Sequence, residues 1–191
     1  MSQKLKIFLP IILVCCVIAL AIIWRVSWKA DPKTPKSLCG TPVSTTLSEP
    51  LLEPPGEVSE RNRVDKNKPT IGESCIVRVD GAEAIEFEFS WHAGTIDPLK
   101  YASPGHEYTT TLQNPKRVEG LGAQAVLGDD GAFVTAPCKS SIDGIGGPET
   151  TDEFSLFMRA SRDVHGDDRR ESIEKFMRAY FPATLETLNC T

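Results

Sequence analysis

Hydrophobic and polar positions follow three patterns along this 191-residue chain. The first is a plain run: from Ile7 to Trp24 eighteen residues carry no charge. As a helix rising 1.5 Å per residue, such a run covers about 27 Å of a hydrocarbon core about 30 Å thick. The second pattern has a period of two. Ile85, Phe87, Phe89 and Trp91 alternate with Glu86, Glu88 and Ser90, so Ser74–Val79 and Ala84–Trp91, flanking Asp80-Gly81, are expected to pair as an antiparallel hairpin with one wet face. The third is helical. Ile173, Phe176, Met177 and Tyr180 fall at i, i+3, i+4 and i+7 behind a capping pattern at Asp168 and Glu171, and Pro182 is expected to kink or end that helix.

The hairpin has a parity problem. A two-residue Asp80-Gly81 turn would oppose Val77 to Ala84 and send the two apolar rows to opposite faces. A loop with an odd residue count is therefore expected, opposing Val77 to Ile85 and Cys75 to Phe87 and setting Arg78 beside Glu86 as a surface ion pair. Three more strands are expected at Gln124–Leu127, Ala132–Ala136 and Phe154–Ala160, with a helical turn over 97–103. Thr46 and Glu49 have capping-box spacing for a short helix. The segment from Glu53 to Thr70, charged and bearing prolines, reads as a solvated loop.

These elements predict an α+β fold: an N-terminal transmembrane helix, then a disulfide-bridged antiparallel sheet of about five strands covered by a long C-terminal helix. The corresponding divisions are a signal anchor over 1–28, a proline-bearing linker over 29–37 and a folded domain over 38–191. Ala19-Leu20-Ala21 has the small-x-small form of a cleavage site, but it lies inside the apolar run, so the segment is expected to remain as an anchor.

Charge and cysteine content add a compartment. Residues 31–191 hold 17 basic against 26 acidic groups, a balance that repels nucleic acid, which is therefore not an expected partner. The positive charges flanking the span, Lys4 and Lys6 before it and Arg25, Lys29, Lys33 and Lys36 after it, would by themselves hold the domain in the cytoplasm. Four cysteines outside the span argue the other way. Cys39, Cys75, Cys138 and Cys190 lie 36, 63 and 52 residues apart, without the close pairs that zinc ligation uses, and fit disulfides in an oxidising compartment. Of the three possible connectivities, Cys39–Cys75 with Cys138–Cys190 is expected, because each link ties a terminal segment to a neighbouring strand. The expected location is a single-pass protein of the cell membrane with its bulk extracytoplasmic.

Candidate chemistry is sparse. His92, His106 and His165 have no second ligand at i+2 or i+4, and neither a metal nor a cofactor is expected. Glu86 and Glu88 share a strand face about 7 Å apart at strand rise, within the range of an inverting glycosidase pair. Alternating glutamates on the water side are, however, the expected pattern of any half-buried antiparallel sheet, and that is the preferred reading. Ser103, His106 and Glu107 lack a nucleophile elbow. Gly120-Leu121-Gly122 and Gly144-Ile145-Gly146-Gly147 lack the Lys-Ser/Thr of a phosphate loop, and Asp129, Asp130, Asp163, Asp167 and Asp168 lack calcium-loop spacing.

Five stretches together resemble a group of actinobacterial membrane-anchored or lipoprotein-like extracytoplasmic proteins of unknown function. They are LCG at 38–40, LLEPPGE at 51–57, CIVRVDG at 75–81, VEGLGAQAVLGDDGAFVTAPC at 118–138 and MRAYFPATLETLNC at 177–190. The shared positions are cysteines, turn glycines and core residues, so the resemblance implies a compartment and a disulfide-stapled α+β shape and no catalytic residue. Cys15 and Cys16 follow bulky residues and do not form a lipobox. The function expected from all this is a non-catalytic binding or accessory module at the cell surface, meeting a cell-envelope protein or a cell-wall component. The alternatives are an extracytoplasmic hydrolase of glycan or peptide using Glu86, Glu88 and His92, and an accessory subunit packed on another membrane protein.

Overall fold

The computed structural model describes residues 34–65, 72–104, 111–140, 151–161 and 168–190, all within one unit beginning at Thr34. A short ribbon, β1 (Ser37–Leu38) with β2 (Thr41–Pro42), leads into α1 (Thr45–Ser48) and a 3-10 turn over Glu49–Leu51. Then come β3 (Val58–Asp65), β4 (Gly72–Val79), β5 (Ala82–His92) and α2 (Pro98–Ala102). The chain continues through β6 (Lys116–Val118), β7 (Gln124–Leu127), β8 (Gly131–Ser140) and β9 (Thr151–Ala160) to α3 (Arg169–Thr187). The main sheet is antiparallel throughout, in the order β3-β4-β5-β9-β8-β7-β6. It consists of two meanders, β3 to β5 and β6 to β9, joined where β5 pairs with β9.

This corrects the expected fold class. The described chain is mostly β, with seven strands in one sheet and two in a ribbon, in place of an α+β sandwich of about five strands. The two extra main-sheet strands are its edges, where a strand need not carry an apolar row because it packs against one neighbour only. The segment assigned to a solvated loop contains β3, whose exposed Ser59, Glu60, Arg61 and Asn62 give no hydrophobic period. The expected span over 7–24 lies outside the described residues. Among the described residues no helix is long and apolar enough to cross a membrane.

The hairpin solves its parity problem differently from the odd loop expected for it. Val79 opposes Ala82, leaving a two-residue turn in which Asp80 and Gly81 both take positive φ, 51° and 84°, the left-handed pair that favours Asp-Gly. One extra residue then enters β5, because Arg78 opposes Glu83 while Val77 opposes Ile85. Ala84 is that bulge. Its carbonyl accepts the Ser161 N–H at 2.7 Å, so the interruption leaves no orphan there. Val77–Ile85 and Cys75–Phe87 thus oppose one another as expected, whereas Arg78 forms its ion pair with Glu83 at 2.9 Å and not with Glu86.

With the parity restored, one face of the sheet is dry. Cys75, Val77, Ile85, Phe87, Phe89, Trp91, Val134, Phe154, Leu156 and Met158 are buried on it. Helix α3 covers them with Ile173, Phe176, Met177, Tyr180 and Phe181. The Tyr180 ring lies 4.9 Å from both Phe87 and Phe176, within the range of offset stacking. Its hydroxyl donates to the Leu38 carbonyl at 2.9 Å, fixing the N-terminal ribbon to the helix. Pro182 does not end α3, which runs five residues further to Thr187. The proline is exposed, as is Arg178, whose carbonyl loses its N–H partner to the ring, so water can satisfy that carbonyl and the helix continues.

Disulfides Cys39–Cys75 and Cys138–Cys190 bind the two ends of this layer to the sheet. They close loops of 36 and 52 residues, worth about 4 kcal/mol each as chain entropy. Replacing Cys138 and Cys190 together by serine is expected to remove about that much stability, read as a lower denaturant midpoint. A loss below about 1 kcal/mol would show that α3 holds its place without the link.

Candidate functional site

The opposite face of the sheet carries the polar half of the β5 alternation: Glu86, Glu88, Ser90 and His92, facing Arg159, Phe157, Ser155 and Glu153 of β9 across the ladder. One half of this face is covered. Asp97 caps α2 by accepting the Leu99 N–H at 2.9 Å, as Asp does readily at an N-cap. The turn so formed lays Ile96, Leu99, Tyr101 and Ala102 over Leu112, Val126, Phe133 and Phe157 in a second, smaller apolar cluster. The helical turn expected over 97–103 is therefore the lid of that cluster.

Under the edge of this lid lies a group of chemically capable side chains. His92 Nε2 and Ser155 Oγ are 2.8 Å apart, and the Glu153 carboxylate accepts the Ile96 N–H at 2.5 Å. Thr135 opposes Ser155 across the next ladder, fully buried, its hydroxyl without a hydrogen-bond partner among the described residues. A serine bonded to a histidine has the composition of a nucleophile and base. Access decides against that use. Ser155 is 2% exposed and Glu153 5%, Ser155 sits mid-strand, and the Glu153 carboxylate is engaged with the backbone rather than with the imidazole. The group acts as a polar lock between the sheet and the segment leading into α2.

Burial holds the His92 imidazole below its ordinary pKa of 6.5, so the folded protein keeps the ring neutral where the unfolded chain begins to take up a proton. The stability this contributes is complete above pH 6.5 and is lost as pH falls through the lowered folded value. The denaturant midpoint of the native protein is expected to drop on going from about pH 7.5 to about pH 5.5, and to drop less in His92→Gln. Equal drops would remove His92 from the lock.

Over β3, β4 and β5 no described element covers this face, on which Ser74, Ile76, Glu86 and Glu88 are half-buried and Arg61 is exposed. Register places Arg61, Ile76, Glu86 and Arg159 in one cross-strand row and Arg63, Ser74, Glu88 and Phe157 in the next. The two glutamates weighed as a glycosidase pair therefore stand in a lattice of charge, with Glu86 directly opposite Arg159. The Arg159 guanidinium lies 5.1 Å from the Phe157 ring centroid and donates to the Thr111 carbonyl. His92 is not brought to them, being bonded to Ser155 toward the lid. Of the other candidates, Asp129 accepts from Asn114 and Arg170 in the turn between β7 and β8. Asp130 accepts the Gln113 N–H at 2.7 Å, so both aspartates serve turn structure. His106, Glu107, Gly144 to Gly147, Asp163, His165 and Asp167 lie outside the described residues.

A donor cluster of metal-ligand type forms at Cys39, Glu60 and Cys75, whose ligand atoms lie within 4.8 Å of one another. The two sulfurs are joined to each other, and a disulfide sulfur is not the thiolate that a metal would require. What sequence reasoning missed is the β3 edge. The available signal was eight residues from Val58 to Asp65 free of Gly and Pro, between Pro55-Gly56 and Pro69. Comparison of this chain with protein-family models, with curated proteins and with solved structures gives no match.

Proposed function

We propose that this chain is a tethered, non-catalytic binding module, held by its uncharged run at 7–24 and working on the extracytoplasmic side of a membrane, where it meets another protein of the envelope. The observation that carries the reading is the pair of disulfides, one near each end of the folded unit, joining all four cysteines outside that run. Such links persist where thiols are oxidised and are rare where glutathione keeps them reduced. A surface role is supported by the distribution of polar groups: Ser155 is buried and bonded to His92, while Ser59, Glu60, Arg61 and Asn62 of the edge strand are exposed. The hydrolase reading gains nothing from this geometry, since Glu86, Glu88 and His92 do not converge.

Protease added to intact cells is expected to release a fragment that starts near residue 30 and whose two disulfides survive under non-reducing conditions. Full protection of the domain, with cleavage only after the membrane is opened, would place it on the cytoplasmic side and overturn the proposal.

A further inference from the structure

We infer that the Glu60 carboxylate guards the Cys39–Cys75 disulfide, repelling anionic thiols and opposing the negative charge that opening the link would create. The inference goes beyond the binding-module reading: it concerns how one of the links behind that reading stays closed. The Cys39 and Cys75 sulfurs and a Glu60 carboxylate oxygen lie within 4.8 Å of one another. No such group forms at Cys138 and Cys190 among the described residues. Each link joins a deeply buried cysteine, Cys75 or Cys138, to a half-buried one, Cys39 or Cys190. With burial so matched, the carboxylate is a difference between them.

Strand parity makes Glu60 an exception in its row. Val58 opposes Val79, Glu60 opposes Val77 and Asn62 opposes Cys75, so Glu60 belongs to the row of the dry face, where Val79, Val77 and Cys75 are buried. Val58 packs on the core from that row. A branched apolar residue would suit position 60 as well, yet the chain holds a carboxylate there, beside two sulfurs. Glu60 is exposed and, among the described residues, no cation pairs with it. Arg61, next in the strand, stands on the opposite face.

The charge reaches beneath the N-terminal ribbon. Burial is the larger cause, and the Glu60 charge a lesser one, of a Tyr180 hydroxyl held well above the ordinary tyrosine pKa. That hydroxyl donates to the carbonyl of Leu38, the residue before Cys39, and is thus committed elsewhere than to a thiolate.

Opening the link takes two displacements. An external thiolate attacks Cys39 Sγ, in the less buried of the two residues; its electron pair forms a new S–S bond, the Cys39–Cys75 bond breaks and Cys75 leaves as a thiolate. A second external thiolate attacks the mixed disulfide, releasing an external disulfide and the Cys39 thiolate. Two external thiols are oxidised, the protein disulfide is reduced, and the protons that the external thiols gave up return to the two protein sulfurs. Negative charge approaches or develops beside Glu60 in both steps, and in the first it develops on a sulfur whose residue is 3% exposed. Like charges this close repel, most strongly where water is scarce. An inward charge on an edge strand also discourages sheets from joining edge to edge, and the test separates the two roles.

That test uses the full chain in detergent, its free thiols alkylated beforehand, with glutathione as the anionic thiol and cysteamine as the cationic one. Mass spectrometry of peptides with trapped thiols gives the opening rate of each link. In Glu60→Gln, which keeps the length of the side chain and removes its charge, glutathione is expected to open Cys39–Cys75 at least about fivefold faster. Cysteamine is expected to gain less, and Cys138–Cys190 to keep its rate. Glu60→Lys is expected to exceed Glu60→Gln with glutathione, and the glutathione effect to shrink in about 1 M salt, where screening sets in beyond about 3 Å. An unchanged glutathione rate would overturn the proposal; if Glu60→Gln then associates with rising concentration, the residue protects the edge instead. Equal acceleration by both thiols, or at both links, would show altered access or a loosened fold in place of charge and would overturn it too. The compartment does not enter these rates: a domain found to be cytoplasmic would remove the tethered-module reading and leave the guard standing, whereas an unguarded link in a domain shaved from intact cells would do the reverse.

Discussion

The alternation of side chains along β5 is the constraint from which the rest of the molecule follows. It is the third strand of seven and joins the two meanders by pairing with β9, so its register sets the facing of every other strand. A slip of one residue would turn Ile85, Phe87, Phe89 and Trp91 out and Glu86 and Glu88 in. The tight Asp80-Gly81 turn would by itself impose that slip. A single inserted residue, Ala84, prevents it, and the Ser161 N–H satisfies the carbonyl that the bulge exposes. Here a small irregularity decides which face is dry.

From that choice the two layers differentiate. The dry face accepts α3, whose aromatic residues stack on Phe87 and Phe154, and the Tyr180 hydroxyl bonds the N-terminal ribbon to the helix. Two sulfur links then limit how far either end can leave the sheet. The polar face is divided between a lid over His92 and Ser155 and a lattice of arginine and glutamate reaching the β3 edge. The same parity that buries Phe87 places Arg61 and Glu86 on the polar face. Ser155 and Glu153 are buried beneath the lid, and among the described residues no strand lies outside β3.

Much of this was legible because periodicity was strong. The central strands, the apolar stripe of α3 and the turn at 97–103 announce themselves through alternation, helical spacing and an Asp-Pro start. The cysteine spacing pointed to links between terminal segments and strands, and the structure has them between those residues. The edges were not legible, since β3 and β6 have no apolar row to bury and their polar sequences resemble loops. The even turn with its bulge was hidden for another reason: two compensating departures leave the same face pattern as one odd loop, and hydrophobic periodicity reports only the net parity. The continuation of α3 past Pro182 depended on exposure, which spacing alone does not reveal. Of the candidate site, Glu86 and Glu88 stand on the polar strand face as expected, whereas His92 belongs to the end of β5, and its engagement with Ser155 depends on β9, which is distant in sequence.

Through-space proton contacts measured by NMR on isotopically labelled protein test the central constraint most directly, because they report cross-strand neighbours residue by residue. Contacts of Val77 with Ile85, Cys75 with Phe87 and Phe89 with Leu156 are the predicted set. Contacts that instead join Val77 to Ala84 and carry that offset along β5 would show a hairpin without the bulge, and would contradict the division of the sheet into a dry face and a polar one.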